Sequence, residues 1–240
     1  MKVGIGFGVA EAVVENGGHA IISSSNPSRV EKAVAAIQKS YPSAGKRVEG
    51  YAYSMGDEAN LEKNVVSLLE KCGKLDHVVY TAGDSLATIP ITEVTMEQLK
   101  QAGMVRYFAV VMLAKHAPKY LNPGPASSFI MTTGSVSEHP IPGWSAVNGY
   151  ATALHGLNRG LAVDLKPIRV NLVSPGAVDT ELWAGLSEEQ RQERFKMFES
   201  KSATGKVGQV TDVTEAYLYL MKDRNITGSI ISTNSGALVM

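Results

Sequence analysis

A glycine cluster near the start of the chain has the composition of a phosphate-binding segment. Gly4-Ile5-Gly6-Phe7-Gly8 stands at the beginning of a predicted helix. Glycines let the backbone approach a pyrophosphate, and a helix N-terminus adds amide donors and positive potential. An ordinary glycine-rich turn is the alternative interpretation, so the meaning of this cluster depends on the residues that follow.

A serine-rich turn after the next predicted strand offers groups that bind a second phosphate. Its polar residues are Ser23, Ser24, Ser25, Asn26 and Arg29. No carboxylate occurs here before Glu31, although a site for NAD normally places Asp or Glu at this point for the ribose hydroxyls. Hydroxyls and a guanidinium suit a 2′-phosphate instead. The turn therefore favours NADP(H) as the cofactor, with a solvated turn that binds nothing as the alternative.

Short apolar strands alternate with amphipathic helices along the chain. Predicted strands cover residues 19–23, 48–53, 77–81, 127–133, 169–173 and 229–233. Predicted helices cover residues 8–16, 28–40, 59–72, 95–120 (as one or two helices), 144–165, 187–200 and 211–221. Right-handed helical crossovers between strands give a doubly wound parallel sheet. We therefore predict one Rossmann-type α/β domain over residues 1–240.

Ligands of such a sheet bind outside the carboxyl ends of its strands. The segments that the predicted topology brings there are residues 23–29, 81–84, 134–144 and 174–183. Candidate site residues are therefore sought in these four segments and in the helices next to them.

Composition excludes several classes of function. Lys plus Arg and Asp plus Glu each number 23, and this balance argues against a nucleic-acid binder. No run approaches the roughly 18 apolar residues of a membrane span. The single cysteine, Cys72, fits a reducing compartment, and the five His residues show no metal-ligand spacing. No secretory leader is visible, so we expect a cytoplasmic protein without metal, membrane or nucleic-acid partners.

Several motifs in the expected order resemble the short-chain dehydrogenase/reductase family. They are Gly4-Ile5-Gly6, Thr81-Ala82-Gly83, Arg169-Val170-Asn171 followed by Ser174-Pro175-Gly176-Ala177-Val178-Asp179-Thr180, and Thr227-Gly228. The resemblance covers nearly the whole chain and implies an extended NAD(P)(H) molecule along the strand ends. It also implies cofactor contacts from Ala82, Gly83, Pro175, Gly176, Val178 and Thr180.

The catalytic residues of that family are not matched here. The family carries a Tyr, a Lys four residues later, and a Ser about 13 residues before the Tyr; the Tyr protonates the forming alkoxide. One register places Tyr150 at Tyr and Leu154 at Lys. The other needs no gap up to Pro175-Gly176, and it places Val147 at Tyr and Ala151 at Lys. In that register the family's Ser falls on Gly134, with Ser135 beside it, and the family's structural Asn is replaced by Arg106.

A different set of side chains is therefore predicted near the nicotinamide: Arg106, Ser135, Trp144 and Tyr150, with Trp183 as a further candidate. A cation on an apolar helix needs a partner or an anionic ligand, and a tryptophan offers a flat apolar surface. The structural alternatives are a salt bridge for Arg106 and a core position for Trp144.

The sequence resembles a subset of the family that lacks Tyr and Lys, namely fungal proteins of indole-alkaloid biosynthesis that reduce an iminium and guide a Diels–Alder closure. That subset carries an Asp three residues before the Trp, and this chain has Ile141 there. We predict an NADP(H)-dependent oxidoreductase that delivers hydride to an iminium or carbonyl of a bulky lipophilic substrate. The alternatives are a cofactor-binding cyclase and a silent binding protein.

Three further expectations concern architecture. Residues 182–202 are predicted to form a substrate lid, with Leu186, Phe195 and Phe198 over the ligand. The apolar helix faces at 105–114 and 151–163 predict a homo-oligomer, a dimer or a tetramer. The family pattern places a strand and a Thr-Gly turn before Gly4, so a segment is expected to be absent after Val3.

Overall fold

Six parallel strands form the framework of the computed structural model, which describes residues 4–84 and 88–240. They are β1 (Ala20–Ser24), β2 (Val48–Ala52), β3 (His77–Tyr80), β4 (Ser128–Thr132), β5 (Arg169–Pro175) and β6 (Ile230–Thr233). Strands β1 and β2 pair with Ala20 opposite Val48. The other four form a sheet in the order β3-β4-β5-β6. The predicted α/β fold with parallel strands is confirmed, and hydrogen bonding divides the strands into two sheets.

Eight α-helices accompany these strands within the described ranges. They are α1 (Ile5–Glu15), α2 (Pro27–Ser40), α3 (Leu61–Cys72), α4 (Met96–Gly103), α5 (Ala109–His116), α6 (Ser145–Asp164), α7 (Glu188–Ser200) and α8 (Val210–Lys222). Helix α1 begins at Ile5 rather than at the predicted Gly8, so the glycine cluster forms its first turn. The strand expected before Gly4 falls on residues 1–3, which lie outside the described residues.

Helices cover both faces of the four-stranded sheet. Alternate residues of each strand point to opposite sides, so each face contributes its own side chains to a core. Phe129 and Leu172 belong to the cluster that also contains Val65, Val110 and Leu154, from α3, α5 and α6. On the other face, Ile130 and Val173 pack with residues of α1 and α8. This arrangement is a doubly wound sheet, with helices on each side.

Helix α1 joins the two sheets into one unit. Its Val9 packs in the cluster of the four-stranded sheet, whereas its Ala10 and Val14 pack with Ala20 and Val48 of the smaller sheet. Within the described residues the two sheets share no strand pairing. The position of the smaller sheet, and of the serine-rich turn that follows β1, therefore depends on the packing of α1.

The connection between β3 and β4 contains a local irregularity. The predicted helical region 95–120 consists of α4 and α5 joined by a π-helical turn, Met104–Phe108. One extra residue per turn rotates the following side chains and leaves backbone groups free for other partners.

None of the helices in residues 4–84 and 88–240 combines the length and apolarity needed to cross a lipid bilayer.

Replacing Gly8 by Ala tests whether the close packing of α1, the helix that contacts both sheets, stabilises the domain. A Cβ at Gly8 would lie 2.9 Å from Thr214 Oγ1 and closer still to Val210 of α8, so α1 and α8 must move apart. We expect Gly8→Ala to be about 1–3 kcal/mol less stable than the control. The control is Gly156→Ala in α6, where a Cβ meets nothing within 4 Å. Equal urea midpoints for the two variants would contradict the role assigned to α1.

Candidate active site

The N-terminus of α1 opens at the carboxyl edge of the strands. Its first turn carries no acidic residue, and no side chain caps it. A Cβ at Gly6 would lie 2.5 Å from Thr81 Oγ1, just after β3, so only glycine permits this approach of helix and strand end. A Cβ at Gly4 would lie 3.7 Å from Glu181 Oε1. The helix start is thus flanked by the segments that follow β3 and β5, and it suits an anionic group.

The serine-rich turn leads from β1 into α2. Asn26 is the N-cap of α2, and its side chain accepts a hydrogen bond from the Arg29 backbone N–H at 3.1 Å. Ser23 and Arg29 are exposed, and Ser24 is half-buried. Because the Asn26 oxygen serves the helix, the groups that remain to hold a phosphate are the serine hydroxyls and the Arg29 guanidinium.

Arg106 lies in the π-helical turn and is paired with Asp84. The distance from Arg106 Nε to Asp84 Oδ1 is 3.2 Å, and each side chain is 27% exposed. Arg106 Nη2 also donates a short hydrogen bond to the Asp84 carbonyl. A Cβ at Gly83 would lie 2.9 Å from both Nη1 and Nη2, so the guanidinium rests directly on this glycine. Burial lowers the pKa of Arg106, and the Asp84 carboxylate opposes that shift.

The same strand end holds the π-helical turn in place. The Tyr80 hydroxyl donates a hydrogen bond of 2.6 Å to the Val105 carbonyl. Burial raises the pKa of the Tyr80 phenol, so this group stays a donor. Tyr80, Gly83 and Asp84 together fix the turn that carries Arg106.

Tyr150 faces a different part of the molecule. A Cβ at Gly103 would lie 2.5 Å from its ring, and the ring centroids of Tyr107 and Phe108 are 5.6 and 5.7 Å away. Its ring lines an apolar depression of about 460 Å³ with Ile91, Leu99, Tyr107, Ser145, Ala146, Gly149 and Ala153. These contacts do not place Tyr150 beside Arg106, and its catalytic role stays a prediction without support from its surroundings.

The loop between β4 and α6 is tied to α6 by polar contacts. The Ser137 hydroxyl donates to the Gly134 carbonyl at 2.8 Å, so His155 Nε2, 3.0 Å from the same hydroxyl, is the donor in that pair. Thr152 Oγ1 donates to the Ser137 carbonyl at 3.0 Å. Ser135 starts the single 3₁₀ turn of this loop. These contacts join the loop to α6, and they are made by Ser137 rather than by the predicted Ser135.

Trp144 is the N-cap of α6 and is half-buried. The preceding residue, Gly143, accepts a hydrogen bond of 3.0 Å from the Ile89 backbone N–H. A Cβ at Gly143 would lie 2.9 Å from Thr88 Cγ2. These contacts place the start of α6 against the segment that follows β3. Trp144 and the Arg106–Asp84 pair therefore belong to the same edge of the sheet.

Residues 176–180, which follow β5, are closely packed against neighbouring parts of the chain. A Cβ at Gly176 would lie 2.8 Å from Asn234 Cα. The Val178 side chain is 6% exposed and packs in the core, so a ligand contact from Val178 uses its backbone. Thr180 Oγ1 accepts a hydrogen bond from the Leu182 backbone N–H at 3.3 Å.

Helix α7, within the predicted lid, is fastened to this segment. Phe195 and Phe198 pack against the Trp183 ring at 6.1 and 5.7 Å between centroids, and the Trp183 indole donates to the Val178 carbonyl at 2.8 Å. Arg191 Nη2 lies 2.6 Å from Asp179 Oδ2. Phe195 and Phe198 thus contact Trp183, and Trp183 acts as the attachment point of α7.

Asp84 and Tyr80 are the site residues that sequence reasoning missed. Asp84 directly follows the Thr81-Ala82-Gly83 motif, in a segment expected to meet ligands, and this position is the signal that could have identified it. Among residues 4–84 and 88–240, no three His, Cys, Asp or Glu side chains lie together as metal ligands do.

Comparison with known proteins gives a consistent picture. A family model described as an SDR-like Rossmann domain matches residues 2–240. The short-chain dehydrogenase/reductases fsr5 of Gibberella fujikuroi and malC of Malbranchea aurantiaca are each 41% identical over 241 residues, which is 98% of this chain and 91% of theirs.

Two solved structures are similar to this chain over most of its length. The structure of MalC reductase/Diels-Alderase from Malbranchea aurantiaca is 41% identical and superposes with a TM-score of 0.93, covering 99% of this chain and 93% of that one. A small-chain dehydrogenase in complex with NADPH is 29% identical with a TM-score of 0.74, covering 80% of this chain and 87% of that one.

Replacing Trp183 by Phe tests the attachment of α7. The loss of the indole N–H leaves the Val178 carbonyl without this donor, and a lost hydrogen bond of about 1 kcal/mol raises the open population of α7 about fivefold. We expect faster tryptic cleavage after Arg191, Arg194 and Lys196, followed by mass spectrometry. Trp144→Phe is the control. Equal cleavage rates in both variants would show that Trp183 does not hold α7.

Proposed function

The chain belongs to the short-chain dehydrogenase/reductase family, and on that premise we propose an NADP(H)-dependent reductase that transfers hydride to an iminium or carbonyl of a bulky lipophilic substrate. Two observations carry the proposal: the glycine-rich start of α1 lies against Thr81, and both registers of the family's Tyr and Lys lack the Lys, the register without a gap placing Val147 and Ala151 at the two positions. Val147 is 5% exposed, and neither side chain can donate a proton.

The residues present fit NADP(H). The first turn of α1 lies so close to Thr81 that a side chain at Gly6 would displace it, and the backbone N–H groups of this uncapped helix start would bind the pyrophosphate. Ser24 and Arg29 would hold the 2′-phosphate, and the backbone of Gly176 and Val178 would border the nicotinamide. When bound, NADPH supplies the hydride. The 29% identical neighbour in complex with NADPH supports this assignment.

The absence of an acid favours an iminium as the acceptor. An iminium already carries the positive charge that a carbonyl gains only through protonation, so the missing Tyr costs little in its reduction. A carbonyl would need a hydrogen-bond donor for its oxyanion, and Arg106 is the side chain we assign to that task. Trp144 would offer its flat face to the substrate.

A cyclase is the second candidate, because the 41% identical MalC is both a reductase and a Diels-Alderase. In that case the protein would act by orienting a reactive substrate. Ile141, where the related subset has Asp, weakens the expectation of the same substrate. A binding protein without turnover is the third candidate.

Assembly and location also remain proposals. We propose a homo-oligomer in which the outer surface of α6 takes part. A Cβ at Gly149, Gly156 or Gly160 of that helix meets nothing within 4 Å, and Val163 is 64% exposed. A cytoplasmic location stays an expectation.

A direct comparison of acceptors tests the proposed function. With NADPH, we expect 2-methyl-3,4-dihydroisoquinolinium, a permanent iminium, to be reduced at least about a hundredfold more efficiently than the neutral ketone 2-tetralone, because general acid catalysis is worth ~10²–10⁴-fold. NADPH oxidation at the nicotinamide absorbance band measures both rates.

Rapid reduction of the ketone would show that an acid is present after all. NADPH binding without transfer to either acceptor would favour the silent binding protein. Cyclisation of a tethered diene–dienophile probe at equal rates with NADP⁺ and NADPH would favour the cyclase.

The cofactor preference is tested at the serine-rich turn. Arg29→Ala should weaken NADPH binding by about tenfold or more, since a charge-assisted hydrogen bond is worth ~1.5–3 kcal/mol. Binding of NADH, which lacks the 2′-phosphate, should stay unchanged. Arg159→Ala, an exposed cation on α6, is the control. Parallel losses for both nucleotides would place Arg29 outside the phosphate site.

A further inference from the structure

The ion pair of Arg106 and Asp84 lies directly after β3, at the edge of the sheet where folds of this type bind their ligands. The Arg106 guanidinium rests on Gly83. In the ranges that the structure describes, Asp84 is the carboxylate that forms an ion pair with it. The pair is therefore close to neutral as a unit, although each member alone carries a full charge.

The segment that carries Asp84 also borders the start of α1. Thr81, which faces Gly6 at the start of α1, and Asp84 belong to the same short segment. Thr88 and Ile89 contact Gly143, the residue before Trp144, so the start of α6 also lies against the chain that follows β3.

Other carboxylates of this edge are placed differently. Asp179 is paired with Arg191 at 2.6 Å. Glu181 lies toward Gly4 at the start of α1, and Glu138 is exposed. Position 141, which holds an Asp in the related subset, is an isoleucine here. Asp84 is the remaining carboxylate next to the Arg106 side of the site.

We infer that Asp84 determines the substrate class of the proposed reductase by balancing the charge of Arg106, so that a cationic acceptor can bind beside the guanidinium. Without Asp84, a bare guanidinium would repel an iminium and favour a neutral carbonyl. Without Arg106, a bare carboxylate would attract the iminium and oppose the oxyanion of a carbonyl. The two single substitutions therefore change selectivity in opposite directions.

The electron balance of the step explains this opposition. Hydride carries both electrons of its C–H bond to the iminium carbon, and the C=N π pair becomes the nitrogen lone pair, so no proton is needed. With a carbonyl, the π pair becomes an oxyanion, which then takes a proton from water. Positive charge next to the acceptor hinders binding in the first case and stabilises the product in the second.

The inference rests on the proposed function, and a binding measurement separates the two. The probe is 2,2-dimethyl-1,2,3,4-tetrahydroisoquinolinium, a cation that cannot accept hydride, titrated by calorimetry with and without NADP⁺. We expect Asp84→Asn to weaken its binding about five- to tenfold, and Arg106→Gln to leave it unchanged or strengthen it. Glu138→Gln removes one negative charge from a neighbouring loop and should have no effect.

Turnover supplies the second measurement. We expect Asp84→Asn to lower the ratio of the iminium reduction rate to the 2-tetralone reduction rate and Arg106→Gln to raise it. Asp84→Glu, which keeps the carboxylate, should have the wild-type ratio. Equal effects of Asp84→Asn and Glu138→Gln on cation binding would overturn the inference. So would a parallel loss of cation binding, ketone reduction and NADPH affinity in Asp84→Asn, which is the signature of a structural role.

A second comparison covers the case in which the Asp84→Asn variant does not fold. It sets the Arg106→Gln variant against the Asp84→Asn/Arg106→Gln double variant, which has no unpaired charge. If the Arg106→Gln variant, which keeps Asp84, does not bind the cation more tightly than the double variant, the inference fails. If no hydride transfer occurs in any variant, the proposed function fails, and the calorimetry still decides the role of Asp84.

Discussion

A partly buried positive charge constrains the architecture of this site. The Arg106 guanidinium lies on an apolar helical region, where an uncompensated cation is costly. Three features of the end of β3 accommodate it: the Asp84 carboxylate at 3.2 Å, the flat surface of Gly83, and the Tyr80 hydroxyl, which holds the Val105 carbonyl at 2.6 Å. The π-helical turn presents the Arg106 guanidinium to Asp84 and Gly83 and, at the same time, the Val105 carbonyl to Tyr80.

The proposed cofactor site depends on the same strand end through helix α1. Gly6 allows α1 to start against Thr81, and Gly8 allows the same helix to pack on α8. Since α1 also packs against the β1–β2 sheet, one helix sets the distance between the proposed pyrophosphate position and the serine-rich turn. In this proposal, cofactor binding and the packing of the domain depend on different glycines of the same helix.

Much of the fold could be predicted from the sequence, because strands and helices of an α/β domain differ in hydrophobic period. Arg106 and Trp144 could be predicted as candidate site residues, because one is a cation on an apolar helix and the other is a large ring in a segment expected to meet ligands. A salt bridge for Arg106 was among the alternatives and is present, but its partner Asp84 was not predicted, because a π-helical turn without a sequence signature brings the two side chains together. Tyr150 illustrates the limit of helical periodicity, since the glycine that receives its ring, Gly103, lies on another helix.

The central claim is that hydride transfer in this site needs no protein acid. The most direct measurement is the single-turnover rate from NADPH to 2-methyl-3,4-dihydroisoquinolinium, followed in H₂O and D₂O over a pH range of about 6 to 9. The account predicts a rate that is independent of pH and unchanged in D₂O. A rate that falls as the pH rises, together with about twofold or greater slowing in D₂O, would show that a proton donor takes part and would contradict it.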